Sequence, residues 1–180
     1  MKLEVQTYPH PVLAEIAKPV EKIDDELNEL IDAMIKTMYE DDGIGLAAPQ
    51  VNKSIRLIVV DHTGPEKREA LKVIVNPEII KTEGKTQIVE GCLSVPGFTV
   101  KVPRAEKVTV KGMDREGNDI EIEADEMLAI VLQHEIDHLD GKIILDYAGK
   151  LKRKMYDKKV SKHMRRMIKA AKQHEEMLNS

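Results

Sequence analysis

Residues 125–141 read DEMLAIVLQHEIDHLDG, and the fold turns on this stretch. Met127, Leu128, Ile130, Val131, Leu132, Ile136 and Leu139 lie nearly all round a helical wheel. A helix from about Asp125 to Asp140 therefore has no solvent face and must be buried. Asp125 stands where an N-cap belongs and Gly141 where a C-terminal glycine belongs. Two histidines and a glutamate inside so apolar a helix carry a desolvation cost and need a reason. His134 and His138 are four residues apart, so both imidazoles share one face and can reach one cation, with Glu135 beside the first.

Upstream of this helix the pattern has a period of two. Ile55 to Asp61 (IRLIVVD) reads as a buried strand, Leu71 to Asn76 as a second, and Thr86 to Glu90 and Val100 to Val102 as shorter ones. Lys107 to Met113 and Asp119 to Ala124 alternate across DREGN and read as a hairpin. One earlier helix is expected from Asp24 or Asp25, with Leu27, Leu30, Ile31, Met34, Ile35 and Met38 at helical spacing and Gly43 ending it. Residues 43–50 (GIGLAAPQ) read as a small-residue loop, and the first twenty or so residues as irregular around Pro9, Pro11 and Pro19. Strands are grouped rather than alternated with helices. The fold class is α+β, with largely antiparallel sheets around a buried metal-binding helix and a basic C-terminal helix.

Composition sets the bounds. The chain has 180 residues, 42% hydrophobic and 33% charged, which suits one ordinary globular domain. Aromatics are 3%, with no Trp and a single Phe98, so stacking platforms for single-stranded nucleic acid are absent. Cys92 is the only cysteine, which fits a reducing compartment. No secretory signal is read at the N-terminus, and the apolar run Met127 to Leu132 is far too short for a bilayer. A cytoplasmic protein with no membrane partner is expected. The net charge of -4 conceals a split: eleven Lys and Arg against one Asp between Gly149 and His174 give +10, leaving -14 elsewhere. The segment from about Ala148 to Leu178 carries this charge together with Leu151, Met155, Val160, Met164, Met167 and Ile168 at helical spacing. Division into residues 1–147, a catalytic body, and 148–180, a basic helical extension, is expected.

Catalytic zinc-type sites use three protein ligands and a water. Two histidines leave one ligand to find. Downstream the candidates are Asp146, His163, His174, Glu175 and Glu176; upstream it is Cys92 in Glu90-Gly-Cys-Leu-Ser94. Gly91 permits a tight turn there, and Glu90 at a strand end needs a partner, for which Arg104 is suited. In the loop 43–50, Gly45 permits close approach of a substrate backbone, and Gln50 can offer an amide donor to an oxyanion.

Taken in order, Gly43 to Val51, Glu90 to Ser94 and Gln133 to Gly141 resemble the three motifs of the peptide deformylases, and the likeness extends over about residues 1–147. The resemblance implies a metal-dependent hydrolase that removes the N-formyl group from the formyl-methionine of newly synthesised polypeptides and releases formate. It implies one divalent metal on Cys92, His134 and His138: Fe(II) in the first place, with Zn, Ni or Co also able to occupy the site. It implies Glu135 as general acid/base to the water that attacks the formyl carbon at the metal, and an oxyanion hole from Gln50 and the Leu93 backbone N–H. The peptide is expected to bind by strand addition between Ile44-Gly45 and the stretch after Pro96, past Gly91. Motif alignment assigns Ile88, Met127, Ile130 and Val131 to the pocket for the Met side chain. Many bacterial members carry Arg where Thr99 stands here, so a weaker grip on the peptide backbone is expected. The basic helix resembles the tail with which some bacterial members dock on the ribosome. A bacterial, cytoplasmic monomer is expected. Two rivals stand beside this reading: a zincin-like peptidase with a downstream acidic ligand, and an RNA-binding protein with a closed structural metal site.

Overall fold

A computed structural model describes residues 1–180. It divides into two compact units, Met1–Asp146 and Tyr147–Ser180. The first unit contains α1 (Asp25–Glu40), β1 (Gly45–Ala47), β2 (Leu57–Val60), β3 (Lys72–Glu83), β4 (Thr86–Gly91), β5 (Thr99–Arg104), β6 (Lys107–Met113), β7 (Asp119–Asp125) and α2 (Glu126–Leu139). Strands β1-β2-β3-β6-β7 form a five-stranded sheet, antiparallel throughout, and β4-β5 form a separate antiparallel ribbon. The second unit contains α3 (Lys150–Leu178). The architecture is α+β.

The run Leu57-Ile58-Val59-Val60 explains how the sheet sits. All four residues are fully buried. Leu57 and Val59 join Ile31, Met34 and Met38 of α1 in one core. Ile58 and Val60 join Ala129, Leu132, Ile136 and Leu139 of α2 in another. An unbroken apolar strand is thus a strand with a helix on each face. Each such side chain contributes about 1.5–3 kcal/mol on burial. The aliphatic stripe of α1 and the all-round apolarity of α2 have the same origin.

The helix ends follow their chemistry unequally. The Asp24 carboxylate accepts the Leu27 N–H at 3.0 Å and caps α1. Asp125 occupies the N-cap position of α2, but its side chain makes no capping bond. Gly141 adopts φ +72, and a Cβ there would lie 2.7 Å from the Ala14 carbonyl oxygen.

Three sequence expectations are corrected. The segment 43–50 is not a loop: Gly45–Ala47 pairs with Val60–Ile58 as an edge strand, and Ala48–Val51 forms a 3-10 turn. Strand β3 runs on past Asn76-Pro77 to Glu83 through a register irregularity. Asn76 stands at φ +52, and its side-chain amide accepts the Val20 N–H at 2.8 Å and donates to the Val20 C=O at 2.9 Å, tying the N-terminal segment to the strand at the irregularity. The N-terminal segment includes a 3-10 turn, Pro11–Ala14, in which proline takes a first-turn position that needs no N–H. No helix is long and apolar enough to cross a membrane.

Candidate active site

Helix α2 and the end of strand β4 bring the candidate ligands together. The ligand atoms of Cys92, His134 and His138 all lie within 4.8 Å of one another. Cys92 Sγ is 3.4 Å from His138 Nε2, and the two imidazoles meet edge to face at 5.1 Å between centroids. A thiolate and two imidazoles converging from the interior fit one divalent cation of Fe(II), Zn or Co character. Among the downstream candidates, His163, His174, Glu175 and Glu176 belong to α3 of the other unit, and the Asp146 carboxylate is spent on the Ile143 N–H at 2.9 Å.

The cluster is braced by a buried ion network. Arg104, on β5, is only 6% exposed and grips Glu90 with two bonds, Nε to Oε2 at 2.8 Å and Nη2 to Oε1 at 2.9 Å. Its third nitrogen reaches Asp137 of α2 at 2.6 Å. Glu90 Oε1 in turn lies 2.8 Å from His134 Nδ1. A carboxylate on Nδ1 fixes the imidazole so that Nε2 is turned to the metal side. Burial opposes the Glu90 carboxylate, but Arg104 and His134 outweigh it and hold its pKa below the ordinary value. Arg104 was a suited partner on sequence grounds; Asp137 was not foreseen, because a polar residue between two histidines gives no sign of where it points. Replacing Arg104 by Leu strips the buried Glu90 carboxylate of both guanidinium bonds and leaves it His134 alone, at a cost of about 3–5 kcal/mol. Metal affinity is expected to fall about 10- to 100-fold in that variant, measured by competition with a chromophoric chelator; unchanged affinity counts against the brace.

Glu135 is 4% exposed and its Oε2 has no hydrogen-bond partner, while its Oε1 lies 4.0 Å from His134 Nε2. Burial pushes its carboxyl up to about 7. An orphaned buried carboxylate oxygen beside a ligand cluster is a polar atom poised for a water or substrate. Burial, with the charges of His134 and Arg104, holds the His138 imidazole well below its usual value, which favours the neutral form that can offer a lone pair to a cation. The glycine at position 45 has a reason beyond the expected one. A Cβ there would stand 2.5 Å from Glu135 Oε1 and 2.9 Å from Cδ, so Gly45 makes room for Glu135 itself.

Beside the cluster opens a cavity of about 590 Å³. Ile44, Gly45, Gln50, Ile88, Gly91, Cys92, Leu93, Met127, Ile130, Val131, His134 and Glu135 all line it, so every candidate substrate and catalytic residue reaches one space; His138 stands behind. Its wall also includes Val95, Phe98 and Thr99, which the sequence reading left out as pocket residues. Phe98 is buried although it follows a Pro-Gly turn, and being the only Phe was the one available signal. β1, which lies at the free edge of the large sheet, begins at Gly45 on this wall. The Gln50 side chain is held at both ends: its Oε1 accepts the Ala47 N–H at 2.9 Å and its Nε2 donates to Ser94 Oγ at 3.1 Å, with Cys92 Sγ at 3.7 Å.

Comparison with known proteins agrees with this geometry. A family model described as polypeptide deformylase matches residues 2–154. The peptide deformylase of Thermodesulfovibrio yellowstonii is 52% identical over 157 residues, 87% of this chain and 95% of that one. That of Hydrogenovibrio crunogenus is 51% identical over 163 residues, 91% of this chain and 95% of that one. The crystal structure of a peptide deformylase from Legionella pneumophila superposes with a TM-score of 0.86 at 47% identity, covering 93% of this chain and 98% of that one. The Ehrlichia chaffeensis peptide deformylase, crystallised in complex with actinonin, does so with a TM-score of 0.83 at 38% identity, covering 90% and 97%.

Proposed function

The chain belongs to the polypeptide deformylase family, and from that premise we propose that it removes the N-formyl group from the formyl-methionine of newly made polypeptides, releasing formate. The observation that carries the reading is one arrangement: Cys92, His134 and His138 converge to within 4.8 Å, and Glu135, with a partnerless buried oxygen, faces the same apolar cavity.

Cys92, His134 and His138 would hold one divalent metal, Fe(II) in the first place, with Zn, Ni or Co as alternatives. Such a metal supplies Lewis-acid polarisation and brings the pKa of a coordinated water toward neutrality. Glu135 takes a proton from the attacking water and delivers it to the leaving amine nitrogen. A carboxyl near pH 7 is matched to both transfers. Gln50 Nε2 and the Leu93 N–H stabilise the charge that develops on the formyl oxygen. Ile88, Met127, Ile130 and Val131 receive the methionine side chain, and Ile44-Gly45, with Gly91 opposite, let the peptide backbone come close along the free edge of β1. Formyl-Met-Ala-Ser should release formate at least about 100-fold faster than formyl-Asp-Ala-Ser, because a carboxylate has no partner in an apolar pocket. Equal rates would remove the pocket from the account.

The basic helix α3 is proposed to dock on the phosphate-rich surface of the ribosome. Its +10 balance supports this, as do Met155, Met164, Met167 and Ile168, all exposed on the helix. Full-length chain should pellet with ribosomes at low salt and be released at high salt, and residues 1–147 alone should stay in solution at both. Equal pelleting of the two forms would rule out docking through α3. A single thiol kept as a ligand favours a reducing, cytoplasmic setting, and we take the working unit to be the monomer.

A further inference from the structure

We infer that Ser94 is a positioning residue for this reaction: its hydroxyl takes one amide hydrogen of Gln50 and thereby aims the other at the side of the cavity where Cys92 stands. The inference rests on the deformylase reading of the site.

Gln50 is 2% exposed and Ser94 fully buried, so the bond between them is shielded from bulk water. The Ala47 N–H on Gln50 Oε1, at 2.9 Å, fixes which end of the amide is the carbonyl. Nε2 then has two hydrogens to place. One goes to Ser94 Oγ at 3.1 Å. The other faces Cys92 Sγ at 3.7 Å, the longer of the two contacts. A hydrogen held so loosely is readily given up to a better acceptor, and a developing oxyanion beside the ligand cluster is one. The bond to Ser94 is therefore the fixed one, and the hydrogen facing Cys92 is the working one.

Ser94 is itself well anchored. Its carbonyl accepts the Tyr8 N–H at 2.8 Å, and the turn that carries it is closed by Val95 N–H on Cys92 C=O at 3.0 Å. The ligand loop and the amide donor are thus set in one frame. Alanine at 94 would keep nearly the same volume and remove only the acceptor, leaving the amide free to tilt about its single remaining anchor. An oxyanion donor acts through pre-organisation, so a tilted one is worth less in the transition state and little different in substrate binding.

The test is a double-mutant cycle of Ser94→Ala and Gln50→Ala on metal-loaded protein, reading kcat, KM and metal content with formyl-Met-Ala-Ser. Ser94→Ala alone is expected to lower kcat by about tenfold or more, a fraction of the loss for a whole oxyanion donor, with KM within about twofold. In the Gln50→Ala background the same change should alter kcat by less than about twofold, since the group it acts through is gone. Equal fold losses in both backgrounds would overturn the inference, as would no loss from Ser94→Ala alone. Loss of metal from Ser94→Ala would overturn it too, because the hydroxyl would then be holding the ligand loop. A metal-loaded parent protein that releases no formate would instead remove the deformylase reading beneath it.

Discussion

Glu135→Gln is expected to retain its metal and lose about 10³-fold or more in kcat. Glutamine keeps the size of the side chain and its place against Gly45, where a Cβ would come within 2.5 Å of the carboxylate. It keeps hydrogen-bonding capacity but cannot accept and return a proton. General acid–base groups contribute about 10²–10⁴-fold, and in the proposed reaction this one would serve both the attack and the departure of the amine. The buried Oε2 has no partner within the protein, so the substitution breaks no hydrogen bond at that oxygen and should not destabilise the fold. Metal analysis and steady-state kinetics on one preparation separate the two effects. Near-normal turnover in the variant would take Glu135 out of the chemistry.

Cys92→Ala is expected to lose the metal and with it all measurable activity. Of the three converging groups the thiolate alone carries a charge that offsets the cation, and it comes from a different element than the two histidines. Removing it leaves a two-ligand site, below the three that open catalytic sites use. The same variant decides against the peptidase rival, in which a downstream carboxylate would take the third place and the metal would survive. Metal-loaded, active Cys92→Ala protein would force that rival back into consideration. The rival with a closed structural site fares no better: Cys92, His134 and His138 are the one cluster of potential ligands, with Glu135 held 4.0 Å from His134 Nε2.

What could be read from the sequence was what periodicity and chemical oddity make loud. Strand β2 announced itself because four consecutive apolar residues are needed where two helices cover both faces. Helix α2 did so because apolar residues lie nearly all round it and the site histidines and Glu135 stand out among them. The convergence of His134 and His138 followed from helical geometry alone. Strand β1 was not legible: Gly45-Leu46-Ala47 has little strand propensity and is held by its backbone pairing to Val60–Ile58. The continuation of β3 beyond Asn76-Pro77 was hidden because Asn-Pro reads as a strand end, whereas the strand passes it through a register irregularity with Asn76 at φ +52. The sequence reading assigned glycine at 45 to the substrate and did not show that it also accommodates Glu135, ninety residues away in sequence and adjacent in space. Asp137 on Arg104 and Ser94 on Gln50 belong to the same class of contact, set by tertiary packing and carrying no local pattern.

The most direct test of the central claim measures two things on one sample: metal per chain and formate released from formyl-Met-Ala-Ser, using protein purified without oxygen. The account predicts about one metal per chain and steady formate release, both lost on chelation and both restored by adding Fe(II) or Co(II). A fully metallated sample that releases no formate would contradict it.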